Sequence, residues 1–204
     1  MILGYGEDPL TFWALKSKLP DILKVLNDKS APSDCLIFYR PSFGRGGGTQ
    51  SQRAEFGEFD AIMGTPKATF LIESKWASSS EVKNGVVYLR AEQELRHQIF
   101  KWYLSEWTSG SFNNWGDFVE QRMTQFDTKF KTFNKKMVPE NSLLANNLEY
   151  ILNRLKAYCP KVQKDVLLFF STEAVHPTKV IPAHFQLIPI QYKTLNNSQL
   201  FQLD

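Results

Sequence analysis

The chain has 204 residues, 43% of them apolar and 22% charged, an ordinary balance for one globular domain that buries its own core without staples. A net charge of +3 permits a polyanionic partner but does not demand one, because steering depends on where the charge sits. No run of about 18 apolar residues occurs, which excludes a membrane-spanning helix, and the two cysteines, Cys35 and Cys159, lack the CxxC spacing of a thiolate zinc site.

The cysteines read as reduced core residues of a cytosolic protein. The first residues, Met-Ile-Leu-Gly-Tyr-Gly-Glu-Asp, show no basic region followed by an apolar stretch, so no signal peptide is expected and the cytoplasm is the expected location.

In chain order, Asp8 and Pro9 mark a helix start, Asp8 as N-cap and Pro9 at the first helical position. Leu10, Trp13, Ala14 and Ser17 follow at helical spacing, Pro20 interrupts, and Ile22 to Leu26 continue a second short helix. Residues 34–40, DCLIFYR, predict the first strand. The segment PSFGRGGGTQSQR follows. It lacks the Gly-Lys-Ser/Thr of a phosphate-binding loop and reads as a hairpin loop, or as one that orders on nucleic acid through Arg40, Arg45 and Arg53. Residues 55–64 and 68–77 predict two strands joined by the turn Gly-Thr-Pro-Lys, an antiparallel hairpin.

A polar stretch, SSSEVKNG, leads to a helix expected over 86–105, with Leu95, Ile99 and Trp102 on its buried stripe. Further helices are expected near 115–133 and 142–158, a buried strand at 165–171, and a strand at 184–192 that Pro189 places at an edge. The polar last dozen residues are expected to fray. The order predicts an α/β domain: a mixed central sheet flanked by helices.

The informative segment runs from Phe59-Asp60-Ala61-Ile62 to Leu71-Ile72-Glu73-Ser74-Lys75. Strand alternation puts Leu71, Glu73 and Lys75 on one face and Phe70, Ile72, Ser74 and Trp76 on the other, toward the main core. Asp60, on the adjacent strand, completes a patch of two carboxylates and a lysine. Two carboxylates with a backbone carbonyl suit a hard cation such as Mg²⁺. A cation neutralises a phosphodiester and acidifies a bound water, and a lysine beside it orients that water or stabilises the charge that develops. Charges inside an apolar strand are costly without such a partner; the alternative is a solvated surface pair worth little.

Asp-x12-Glu-x-Lys, with apolar residues before each acid, resembles the signature of the PD-(D/E)xK, or restriction-endonuclease-like, nuclease superfamily. Asp60 matches the first acid, Glu73 the second and Lys75 the lysine. Phe59 departs from the family's proline. Gly-Glu-Asp-Pro-Leu-Thr-Phe-Trp-Ala-Leu is similar to the family's first helix, with Glu7 at its acid. Glu-Gln-Glu-Leu-Arg-His-Gln-Ile-Phe-Lys-Trp-Tyr is similar to the helix after the lysine strand, offering Gln93, His97 and Gln98 as contacts to the site or a phosphate. For Glu7 the alternative is a carboxylate favoured by the helix dipole, and for the helix residues a solvated face. The resemblance spans residues 1–105; residues 106–204 are placed only as helices and closing strands of one domain, 1–204.

It implies a restriction-endonuclease-like sheet and hydrolysis of DNA, for restriction, defence or repair. Mg²⁺, or Mn²⁺ in its place, would lie on Asp60, Glu73, Glu7 and the Ser74 carbonyl, and a homodimer would cut both strands. Two other readings stand beside it: a catalytically silent nucleic-acid-binding or assembly subunit, and a structural partner in a larger complex. Glu58, two residues before Asp60, is a rival ligand, with Glu55 behind it. Lys129, Lys131, Lys135 and Lys136 with Arg122 form either a phosphate-contacting ridge or a solvated helix face. Trp102, Tyr103, Trp107, Phe112 and Trp115 read mainly as core, with one or two available to stack on unpaired bases. His97, His176 and His184 are scattered without HExxH spacing, and neither GxSxG nor GxGxxG occurs, which argues against a zinc hydrolase, an α/β-hydrolase and a dinucleotide fold.

Overall fold

The computed structural model describes residues 1–44, 54–158, 161–173, 176–195 and 198–203. The glycine-rich stretch with Arg45 and Arg53, and Cys159, lie outside them. Among the described residues twelve strands and five α-helices follow one another: β1 (Leu3–Gly4), α1 (Glu7–Ser17), α2 (Leu19–Val25), β2 (Leu36–Tyr39), β3 (Ser42–Phe43), β4 (Gly57–Glu58), β5 (Ala61–Gly64), β6 (Thr69–Trp76), β7 (Val82–Lys83), β8 (Val86–Tyr88), α3 (Ala91–Ser109), α4 (Trp115–Phe130), α5 (Leu143–Lys156), β9 (Gln163–Ser171), β10 (Lys179–Ile181), β11 (Gln186–Gln191) and β12 (Phe201–Gln202).

The central sheet has five strands in the order β11-β9-β6-β5-β2. The hairpin β5–β6 is antiparallel with Ala61 opposite Ile72, β2 runs antiparallel to β5, and β9 and β11 run parallel to β6. A parallel return from β6 to β9 needs a long crossover, and α3, α4 and α5 supply it. The domain is therefore mixed α/β, with helices on both faces of the sheet.

Alternation along β5 and β6 sorts the two faces. Ala61, Met63, Phe70 and Ile72 pack with Leu10, Ala14, Ile22 and Leu23 of α1 and α2. Ile62 and Leu71 pack instead among Ile99, Phe100, Tyr103, Leu148 and Leu152 of α3 and α5. Both faces of β6 carry a core, and Glu73 and Lys75 are buried, at 1% and 7% exposure, so they do not form the solvated surface pair that was the alternative reading. The aromatic cluster is core as expected, with Trp102, Tyr103, Trp107 and Trp115 buried and Phe112 packed against them.

Four boundaries differ from the sequence reading. The helix expected from residue 86 begins at Ala91, because Val86–Tyr88 is a strand. Asn84 and Gly85 both take positive φ, 51° and 72°, and turn β7 into β8 as a two-residue hairpin. The first helix begins at Glu7 with Gly6, not Asp8, as N-cap; Asp8 lies in the first turn. The strand expected over 55–64 is broken at Phe59 and Asp60 into β4 and β5. The C-terminus does not simply fray: β12 pairs with β1, and Phe201 is buried against the α1–α2 core, a burial worth ~1.5–3 kcal/mol. Pro189 does sit on an edge strand, since β11 pairs only with β9 in its sheet. Among the described residues, no helix is long and apolar enough to cross a membrane. Cys35 is a half-buried free thiol rather than a core residue.

Candidate functional site

The site forms where β5 stops and β6 continues. Pairing ends at Ala61–Ile72, so Glu73 to Trp76 have no β5 partner and one backbone edge of β6 is left open. Asp60 stands one step beyond the last pair and fills the gap: its Oδ2 accepts from the Ser74 amide at 2.7 Å. Its own carbonyl accepts from the Arg40 amide at 3.1 Å, which fixes the strand end. Ser74 is pinned from the other face, its Oγ lying 2.8 Å from the Thr11 hydroxyl of α1. That contact also sets the start of α1, from which Glu7 reaches Lys75, Oε1 to Nζ at 3.3 Å.

Asp60, Glu73, Glu7 and Lys75 therefore share one neighbourhood. Burial, then the charge of Glu73, then that of Glu7 push the Asp60 carboxyl up to about 8, against the opposing pull of Lys75. Among the described residues Asp60 has no cationic salt-bridge partner, only the Ser74 amide. Glu7 is also raised, by burial, despite Lys75. Glu81 lies at the rim; burial opposes its ionisation, but the Ser79 hydroxyl, Arg90 and Lys75 outweigh burial and hold it at about 2.

Glu73 differs. Its Oε2 accepts from Gln93 Nε2 at 2.8 Å. Its Oε1 accepts from Arg96 Nη2 at 2.6 Å and lies 3.0 Å from His97 Nε2. Residues 93, 96 and 97 fall on one face of α3, three and four positions apart. Gln93 is held at its other end, its Oε1 accepting from the Arg90 amide at 3.0 Å in a helix-capping contact. Burial would raise the Glu73 carboxyl, but His97 and Arg96 outweigh it and hold the group below its usual range. Phe59 packs beneath this face, 4.9 Å from the His97 ring and 5.3 Å from the Arg96 guanidinium.

The network continues past His97. Its Nδ1 lies 2.7 Å from Asp165 Oδ1 on β9, and Asp165 also meets Lys101 and, at 3.3 Å, His184 Nε2. Two of the three histidines that are scattered in the sequence thus gather around one carboxylate.

Of the residues expected from sequence, Asp60, Glu73, Ser74, Lys75, Glu7, Gln93 and His97 are brought together. Gln98 is not: it is exposed and donates to Glu94, at 3.4 Å. Glu58 turns to Arg40, whose Nε donates to it at 2.7 Å, and Arg40 also pairs with Asp8. Glu55 offers its backbone carbonyl to Lys135. Arg122 pairs with Glu106; Lys131, Lys135 and Lys136 line an open groove with Asp127, away from Asp60. The sequence reading missed Arg96, Lys101, Asp165 and His184. Arg96 carried a findable signal, three residues after Gln93 on the same helical face.

The chemistry of the donor set fits a hard cation. The acids are oxygen donors, and Asp60 is a half-buried carboxyl whose raised pKa an added positive charge would bring down. Among the described residues no three His, Cys, Asp or Glu side chains stand grouped closely enough to hold an ion as they are placed. No protein-family model matches this chain, and no curated protein or solved structure is significantly similar to it.

Proposed function

We propose that the protein is a divalent-cation-dependent nuclease of restriction-endonuclease-like architecture that hydrolyses phosphodiester bonds in DNA, in restriction, defence or repair. The observation that carries this reading is Asp60, a half-buried acid without a cationic salt-bridge partner among the described residues, set beside Glu73, Glu7 and Lys75. An antiparallel hairpin continued by parallel strands, with helices on both faces, supports it.

In this reading Asp60, Glu7, Glu73 and the Ser74 carbonyl would hold Mg²⁺ or Mn²⁺. When bound, the cation supplies Lewis-acid stabilisation of the phosphate and a more acidic water. Lys75, steadied by Glu7, donates from Nζ to the attacking water or to the charged phosphoryl oxygens. The Ser74 amide holds Asp60 in place, so that the acid loses little freedom on binding. A cytoplasmic homodimer, one site per strand, accompanies the proposal.

A second reading, a catalytically silent DNA-binding or assembly subunit, has one observation in its favour. Glu73 is already paired with the Arg96 guanidinium and in contact with His97, as in a purely structural network. Plasmid nicking in Mg²⁺ and in Mn²⁺ separates the two. The nuclease reading expects cutting by the wild type and a loss of about 10²–10³-fold or more in Lys75→Ala and Asp60→Asn, the scale of removing one electrostatic group at a reacting centre. Wild-type protein that binds DNA and never cuts it establishes the second.

A further inference from the structure

We propose that His97, braced by Asp165, is a positioning residue that turns Glu73 so that Oε2, and not Oε1, is the oxygen presented to the cation, with Gln93 as the neutral group that gives way. This rests on the nuclease reading.

The two oxygens of Glu73 are held unequally. Oε1 carries two Arg96 contacts, at 2.6 and 3.2 Å, and the His97 contact at 3.0 Å. Oε2 carries the Gln93 amide alone. Hydrogen bonds from a charged donor are roughly twice as strong as neutral ones, so a cation at this edge would displace the Gln93 amide more readily than the two contacts of the Arg96 guanidinium.

His97 can brace Glu73 only because it is itself braced. Each ring nitrogen faces a carboxylate oxygen, Glu73 Oε1 on one side and Asp165 Oδ1 on the other, which fixes the orientation of the ring. The ring is 1% exposed and packed between Phe59 and Phe185, at 4.9 and 4.8 Å, which removes its freedom to flip. Asp165 comes from β9, which pairs with β6 in register, Leu71 beside Asp165 and Glu73 beside Leu167. The brace therefore links the strand carrying the acid, its parallel neighbour and the helix packed over both. Lys101 and His184 tie Asp165 from outside, so the carboxylate does not have to leave His97 to find a cation.

The test is Mn²⁺ affinity, measured by paramagnetic resonance of free Mn²⁺ on full-length folded protein, alongside kcat and KM for plasmid. His97→Ala is expected to weaken Mn²⁺ binding by about 10–100-fold, the range for losing a group that orients a ligand. It should lower kcat with KM for DNA little changed, and His97→Gln, which restores a donor toward Oε1, should recover part of the loss. Gln93→Ala is expected to act with the opposite sign, tightening Mn²⁺ by roughly 2–10-fold, the equivalent of one neutral hydrogen bond no longer broken. Asp165→Asn keeps its shape and an acceptor for Nδ1. It should weaken Mn²⁺ by about 10-fold and carries the test if His97→Ala does not fold.

A purely structural network predicts that all these variants lose melting temperature while the folded fraction binds Mn²⁺ as the wild type does; that result overturns the positioning role. Gln93→Ala and Asp165→Asn shifting affinity in the same direction overturns the assignment of Oε2. Wild-type protein without Mn²⁺ affinity overturns the nuclease reading and this inference with it.

Discussion

Replacing Asp60 by asparagine should stabilise the protein at neutral and alkaline pH while removing its response to divalent cations. Asparagine keeps an oxygen that accepts from the Ser74 amide and is neutral at every pH. Asp60 has its folded value raised from 3.8 to about 8. The folded state therefore holds this proton more tightly than the unfolded chain. As pH rises from about 4, the unfolded carboxyl ionises freely and the folded one does not, so stability is lost progressively until pH passes the folded value.

Each unit of displacement corresponds to about 1.4 kcal/mol, which gives a gross penalty of ~4 kcal/mol at pH 7. Asp60 is only half-buried by surface, and water at its open edge screens the effect, leaving ~1–2 kcal/mol. For a chain of this size that is a rise of roughly 2–8 °C in Tm. The assay is thermal denaturation of wild type and Asp60→Asn from pH 4 to pH 9. The difference should be small near pH 4, widen up to about pH 8 and then level. Saturating Mn²⁺ should raise the wild-type Tm by mass action and leave the variant unmoved. A variant that is equally destabilised at every pH would refute the reasoning, since it would mean that the Asp60 carboxylate is stabilised where it stands.

Two further outcomes follow from the same geometry. Asp28, 7% exposed, has burial opposing its charge, but the Ser30 hydroxyl, the Thr65 hydroxyl and the Ser30 amide together lower its pKa. Its contribution is present above the unfolded value and lost as pH falls through the folded one, so Asp28→Asn should melt below wild type at pH 7 and converge with it in acid, read by the same melting series. Gly57 takes φ +111°, and a Cβ there would stand 2.9 Å from Arg96 Nη1. Gly57→Ala should cost about 1–3 kcal/mol of backbone strain, seen in urea unfolding, and should also weaken Mn²⁺ binding by displacing Arg96 from Glu73.

Much of the sheet was readable because its strands are short apolar runs bounded by turn residues, such as DCLIFYR, ATFLIESKWA and DVLLFFS. The convergence of Asp60, Glu73 and Lys75 was readable because strand alternation and a short hairpin leave few alternatives, whereas Glu7 was reached only through the resemblance of the first helix. The pairing of Arg96 with Glu73 was not readable, because a solvated pair at Glu73 and Lys75 stays open as an alternative until α3 packs over the strand. Asp165 was hidden at the head of an apolar run, where it looks like a strand boundary; only the parallel pairing of β9 with β6 brings it to His97. Val86–Tyr88 was absorbed into the helix that follows it, although Asn84-Gly85 is a hairpin signal in its own right. Phe201 lay in a polar tail, and its burial depends on a partner strand nearly two hundred residues away.

The most direct test of a cation centre at Asp60 is a crystal structure of the protein grown with Mn²⁺, read at the manganese absorption edge. The account predicts one anomalous peak about 2.1 Å from an Asp60 carboxylate oxygen, with Glu73 Oε2 turned to it and Gln93 released. An Asp60 still bonded only to the Ser74 amide, with manganese elsewhere or absent, would contradict it.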